Sequence, residues 1–328
     1  MASEDARMKK QSLTCGVMVL LLLLAVYCSL SFGTQTLGWR QIVSAFNVQD
    51  SHHFTLFDYR LPRTLLALVV GASLAVSGVL VQGVIRNPLA SPDILGVNHA
   101  AGLTSVIALT LFPALSVMWL PPLAFVGGLL AFLLLRLAAG RTSPPVRLAL
   151  TGVALTALYA SLTDFIMLSH PLEINTALLW LTGSLWGRGW GFIYVALPWL
   201  LLLLPLSFCL CRSLDVMALG EVSAATLGTS VRWVVSLSLL LAVALAAVSV
   251  AICGPIGFIG LVAPHLARRL VGGRHRWMLP ASMLIGSLIL LLSDLLARTL
   301  APPLELPAGI LTAVIGAPYF FWLLMRTR

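Results

Sequence analysis

Charge is what this 328-residue sequence has least of: Asp, Glu, Lys and Arg together make up 9% of it, against about a quarter in a soluble globular chain. Lysine occurs only as Lys9 and Lys10. A phosphate-binding loop of the GxxxxGK[ST] type needs a lysine to neutralise phosphate, so nucleotide hydrolysis through that device is excluded. No HExxH or GxSxG is present, and GRGWG at 187–191 follows no strand and opens no βαβ unit, which excludes a dinucleotide fingerprint. Cysteine is sparse as well. Cys15, Cys28, Cys209, Cys211 and Cys253 all lie in or beside apolar runs, where they read as membrane-buried thiols. Cys209 and Cys211, two apart, do not share a helix face, and adjacent His52 and His53 lack a ligand-type i, i+4 spacing. No structural or catalytic metal is expected.

What is present is apolar length, with 59% of residues hydrophobic. A bilayer core of about 30 Å takes roughly 20 apolar residues per helix, which leaves room for some ten spans and almost no soluble domain. The expected fold class is an all-α integral membrane protein, with a short cytoplasmic segment at 1–12 and one transmembrane domain over 13–328. Candidate spans are 13–32, 62–83, 95–112, 118–138, 147–168, 191–211, 232–252, 255–267, 278–298 and 307–325. The basic N-terminus resembles a secretory leader, but its apolar run is too long and Tyr27 before Cys28 is too bulky for cleavage, so it is kept as the first span.

Arginine placement tests this topology. With ten spans and the N-terminus inside, 15 of the 20 basic residues fall on the cytoplasmic side. Counting 174–187 as a further span would make the split 9 to 11, and removing 255–267 would make it 10 to 10. Only the ten-span arrangement obeys the positive-inside rule. Residues 170–190 then form an outer-surface helix and loop with Trp180, Trp186 and Trp190 at interface depth. The net charge of +9 belongs to these topology signals, and nucleic acid is not expected as a partner. Gly254, Pro255, Gly257 and Gly260 at the eighth span suggest either a broken entry or a close helix-packing face.

Four features carry possible function. The cytoplasmic stretch 213–231 holds two short helices, one capped by Asp215 and stopped by Gly220, the next begun by Glu221 and stopped by Gly228. Its apolar residues Val216, Met217, Leu219, Val222 and Leu227 need a cover, either a cytoplasmic partner or the headgroups. Arg60, Arg63 and Arg298 stand outside, against the charge trend, as headgroup anchors or as a patch for acidic groups. Asp164 and Asp294 are intramembrane acids and so functional suspects; Asp294 precedes Arg298 by one helical turn and is expected to pair with it. A self-contained proton-coupled secondary transporter, using Asp164 or Asp294, remains open on these residues. The stretch 58–96 shows Arg60 and Arg63 to one side and a polar, Pro-rich break after Arg86 to the other.

Several blocks in order carry a resemblance: RLPR at 60–63, NPLASPDILG at 87–96, LALTGVAL at 148–155, LLWLTGSLWGR at 178–188, LGEVSAATLG at 219–228, GPIGFIGLVAPHLAR at 254–268, DLLAR at 294–298 and ELPAGILTAVIGAP at 305–318. The sequence resembles the FecCD/BtuC-type permease family of bacterial importers, and within it the ferric citrate permeases. The resemblance implies a BtuC-like (type II ABC importer) permease in the bacterial inner membrane, both termini cytoplasmic, passing an Fe(III) chelate inward. It implies as partners a second FecC-like permease subunit, two cytoplasmic ATP-binding subunits that carry the ATP and Mg, and a periplasmic iron-chelate-binding protein. It implies that Arg60, Arg63 and Arg298 dock that binding protein. Asp215, Leu219, Gly220, Glu221, Thr226, Leu227 and Gly228 would meet the ATPase. Other siderophores, haem or cobalamin use the same scaffold. The chain itself would hold no cofactor and no catalytic residue.

Overall fold

A computed structural model describes residues 2–33, 35–116, 119–140, 144–170, 174–302 and 304–326. Arg141 and Arg328 of the charge count lie outside the described residues. The helices, in chain order, are α1 (Ala2–Ser31), α2 (Trp39–Ser44), α3 (Leu61–Ile85), α4 (Val97–Leu111), α5 (Leu120–Ala139), α6 (Pro145–Ser169), α7 (Ile174–Leu181), α8 (Trp190–Cys209), α9 (Cys211–Met217), α10 (Glu221–Thr226), α11 (Val231–Cys253), α12 (Ile259–Val271), α13 (His275–Thr299) and α14 (Ala308–Arg326). Among the described residues there is no strand.

Seven of these helices are long and apolar enough to cross a membrane, with α3 extended by a wide turn from Phe54 to Arg60. The remaining three candidate spans coincide with shorter helices: α4, α12 and α14. The chain is a multi-pass membrane protein. Its axis is α3, whose apolar stretch is 83% buried against 17% for α1 and α6; α11, α12 and α13 pack round it.

Small residues permit that packing. A methyl group on Gly71 would stand 2.4 Å from the Gly286 carbonyl oxygen, and one on Gly78 would stand 1.8 Å from that of Gly260. The backbones of α3, α13 and α12 therefore touch, replacing the hydrophobic drive that lipid cannot supply with close van der Waals contact. The two readings of 254–260 prove compatible. Gly260 is a packing glycine, while Gly254 and Phe258 both have positive φ and bracket a non-helical entry to α12.

A second interruption, a loop with one 3-10 turn at Pro92–Leu95, explains why α4 can be only 15 residues long. Residues 86–96 leave the end of α3 and fold back into the bundle. Pro92 lies against Gly260, and the Ile94 carbonyl lies where a Cβ on Gly152 would be, 2.1 Å away. Gly78 and Gly152 each sit seven residues from their own helix ends, about 10 Å at 1.5 Å per residue. The chain thus re-enters to that depth before α4 starts. Ala90, Ser91, Pro92, Leu95 and Gly96 are all buried, and Gln82 Nε2 donates to the Ala90 carbonyl at 3.1 Å. Irregular backbone at membrane depth survives only under such cover.

Residues 174–187 do not form a surface helix. Trp180 is buried beside Leu120, Val250 and Ala251. The Ser184 amide donates to the Cys253 carbonyl at 2.7 Å and the Gly309 amide to the Gly183 carbonyl at 2.9 Å, so the segment is clamped between the ends of α11 and α14. Of Trp180, Trp186 and Trp190, expected at interface depth, only Trp186 is exposed.

Candidate functional site

At one end of the bundle the sequence-predicted arginines come together, but inside the protein. Arg63 Nε donates to both Asp294 oxygens, at 2.9 and 3.0 Å, and its Nη1 donates to Glu305 Oε2 at 2.6 Å and to the Tyr59 hydroxyl at 2.8 Å. Tyr59 donates in turn to Glu305 Oε1 at 2.6 Å. Arg60 donates from Nη1 to the carbonyls of Leu30 and Ser31, at 2.8 and 2.9 Å, and from Nη2 to that of Gln35. Arg298 Nη2 donates to the carbonyl and hydroxyl oxygens of Ser29, both at 2.6 Å.

Two expectations are corrected here. Asp294 does not close chiefly on Arg298, whose Nε is 4.0 Å away; it belongs to Arg63, from the other side of the helix contact. None of the three arginines reaches out to headgroups either, for Arg60, Arg63 and Arg298 are each 2% exposed or less. The cause is electrostatic. Three guanidinium groups converge where the chain offers two carboxylates, Asp294 and Glu305, and helix-end carbonyls supply the other acceptors. One positive charge stays uncompensated, and Arg298 Nε and Nη1 lack a hydrogen-bond partner. Glu305 and Tyr59 were missed in the sequence; a lone acid just before the α14 run was the signal available.

At the opposite end lies the α9–α10 hairpin. Gly220 and Gly228, with φ of 105° and 82°, bracket α10, conformations that side-chain-bearing residues adopt with difficulty. Glu221 opens α10 as expected and forms an ion pair with Arg86, the residue from which the re-entrant stretch departs. Thr226 is bonded only within its own turn, to the Ser223 carbonyl at 2.9 Å. Asp215 does not cap α9. It sits within that helix and accepts from the His275 amide at 2.9 Å and from its Nδ1 at 2.6 Å, so it caps α13. Burial pushes the Asp215 carboxyl up, but the His275 bonds outweigh it and hold it below its ordinary value. Met217 is covered by the chain itself at 1% exposure, whereas Val222 is 80% exposed and Leu219 and Leu227 are each 65% exposed.

Between the two ends runs a concave face. Asn98, His99, Thr163, Asp164, Leu181 and Pro255 line a cavity of about 300 Å³. It meets, at Leu181 and Pro255, a groove of about 660 Å³ along Gly309, Ala313 and Ala317 of α14. Among the described residues no His, Cys, Asp or Glu cluster could hold a metal ion.

The model of the FecCD transport family matches residues 21–326. The chain belongs to that family. It is 58% identical to the Fe(3+) dicitrate transport system permease protein FecD of Escherichia coli over 92% of this chain and 94% of that one. It is 43% identical to the Fe(3+)-citrate import system permease protein YfmE of Bacillus subtilis, over 99% and 98% of the two chains. Its fold matches that of a metal-chelate-type ABC transporter solved in an inward-facing conformation, with a TM-score of 0.87 and 32% identity over 95% of this chain and 98% of that one. This FecCD-family chain is therefore a transport subunit, an ABC-transporter permease, with ATP hydrolysis on a separate chain.

Proposed function

We propose that this permease passes ferric citrate from periplasm to cytoplasm across the bacterial inner membrane. It would be paired with a second FecC-like permease subunit, powered by two ATP-binding subunits and supplied by a periplasmic chelate-binding protein. The observation that carries the substrate is the 58% identity to a ferric dicitrate permease over nearly the whole chain. Both termini are placed in the cytoplasm by the arginine count.

In this reading the hairpin with exposed Leu219, Val222 and Leu227 is the surface on which an ATPase groove closes. The Arg60, Arg63 and Arg298 cluster receives acidic groups of the binding protein. What supports docking is the surplus positive charge and the unsatisfied donors of Arg298. Because the cluster is buried, a partner carboxylate would act by displacing Glu305 from Arg63 or by engaging Arg298 as the outer end opens. Nucleotide and binding protein can each shift the two access states only by their differential affinity for them. A proton relay through Asp294 is disfavoured, since Arg63 holds both its oxygens.

The test is radiolabelled iron uptake, with citrate compared against other chelators, in cells lacking only this chain. Loss of citrate-dependent uptake, restored by the chain, is expected. Unchanged citrate uptake, or uptake by the purified chain alone on a proton gradient, would overturn the proposal.

A further inference from the structure

We infer that the cavity lined by Asn98, His99, Thr163 and Asp164 is a polar station on the translocation path, where the chelate is held briefly through hydrogen bonds. The inference rests on the function proposed above and adds the residues that touch the cargo.

Burial and polarity disagree at this place. His99 and Asp164 are exposed on the surface of the chain, although both lie on apolar helices. Among the described residues neither has a hydrogen-bond or ion-pair partner within the chain. Asp164, five residues before the end of α6, still lies in an apolar span, where an acid is costly against lipid and lines cavities or pathways instead. Asn98 supplies an independent sign. It is 94% buried, its Nδ2 donates to Asp93, and its Oδ1 is an enclosed acceptor without a donor. A buried carbonyl left without a donor is destabilising, so the polar wall of the cavity is not satisfied by the chain alone.

The surroundings point the same way. Pro255, in the non-helical entry to α12, forms one wall, and the groove of small residues along α14 continues from it. Non-helical backbone, exposed polar side chains and a small-residue groove share this one face. The cavity between α5, α8 and α11, lined by Pro121, Phe125, Phe192 and Trp199, offers only apolar walls apart from backbone, and suits acyl chains.

The side chains also indicate what the station takes. His99 can donate one N–H to a carboxylate oxygen, while Asp164 accepts. A hydrated hydroxycarboxylate complex of Fe(III) presents matching groups: carboxylate oxygens, a hydroxyl, and iron-bound waters that are strong donors. A cluster of arginines would hold such a polyanion too well. Conduction needs binding favourable enough to enter and weak enough to leave, which a few hydrogen bonds supply.

The experiment uses the full transporter in ATP-loaded proteoliposomes, supplied with binding protein and radiolabelled ferric citrate, and reads iron imported per ATP hydrolysed. His99→Leu and Asp164→Leu should each lower that ratio about tenfold, as expected for losing one or two hydrogen bonds to a charged ligand. Asp164→Asn and His99→Gln, which keep an acceptor and a donor, should retain at least about half of it. An unchanged ratio in the Leu variants overturns the inference, including the case in which import and hydrolysis fall together through poor assembly. In a second measurement, Ala160→Cys, on the cavity wall, should react with a charged, membrane-impermeant thiol reagent above the level of the parent chain. No added labelling would place the cavity against lipid and overturn the inference. If the wild-type transporter imports no iron with citrate, the proposed substrate falls, and the labelling still decides whether the cavity lies on a water-filled path.

Discussion

At the side chain of Arg63, four hydrogen bonds to three residues leave almost no freedom, and both Arg63 and Asp294 are excluded from solvent. Removing one partner of such a pair leaves a buried charge, at a cost of about 3 to 5 kcal/mol. Asp294→Ala is therefore expected to lower the thermal midpoint of the detergent-purified chain sharply, while Asp164→Ala, which breaks no contact within the chain, leaves it near wild type. Size-exclusion profiles after heating would show this, and equal losses for the two variants would count against the assignment of Asp294 to Arg63. Arg298, with two unsatisfied donors, is the member of the cluster free to accept a further carboxylate. Arg298→Glu and Arg60→Glu should weaken association with the binding protein and reduce uptake while the chain still inserts; normal uptake in both would remove docking from these residues.

At the scale of elements, the α9–α10 hairpin is joined to the bundle at two polar points, Asp215 to His275 and Glu221 to Arg86. The second point lies where α3 ends and the re-entrant stretch begins, so a push on α10 has a short route to the start of α4. Val222→Asp should release the ATPase in co-purification without unfolding the permease; intact co-purification would return the hairpin to the headgroups. The Asp215 contact has a defined acid limit. Its folded pKa is below the ordinary 3.8, so the stabilisation is fully present above that value and is lost as pH falls through the lower folded one. Asp215→Ala should thus destabilise α13 at neutral pH, and the difference from wild type should vanish only in strong acid. Hydrogen exchange at the His275 amide would report both. Helix contacts set the other element-scale prediction. Gly78→Val cannot fit against Gly260 and should abolish folded protein, whereas valine at Gly187, whose surroundings are open but whose φ is positive, should cost only the local strain, about 1 to 2 kcal/mol.

Across the whole molecule, the multi-pass class was legible because seven helices are continuous apolar runs long enough to span, and the other three expected spans fall on the shorter helices α4, α12 and α14. The two short helices of 213–231 were legible too, since Gly220 and Gly228 punctuate them. Other features were out of reach. Asp294 was assigned to Arg298 because they share a helix turn, yet its main partner lies 231 positions away in the chain. Trp180 was set at an interface because tryptophan favours one, yet it fills a core pocket closed by α5 and α11. The break at 87–96 was visible as Pro-rich and polar, but not that it climbs back about 10 Å into the bundle. His99 gave no signal, being one histidine on an apolar helix.

Local composition was enough for the all-α membrane class, because the length and apolarity of a segment decide by themselves whether it enters a bilayer, while the family was carried by the ordered motif blocks. Pairing inside the bundle was decided only by the tertiary structure, because it depends on which helices touch. Glycine contacts at Gly71 and Gly78 bring α13 and α12 onto α3, and that approach carries Arg63 to Asp294 and Pro92 to Gly260, while Gly152 against the Ile94 carbonyl seats α6 beside α4, where Asp164 and His99 share a cavity.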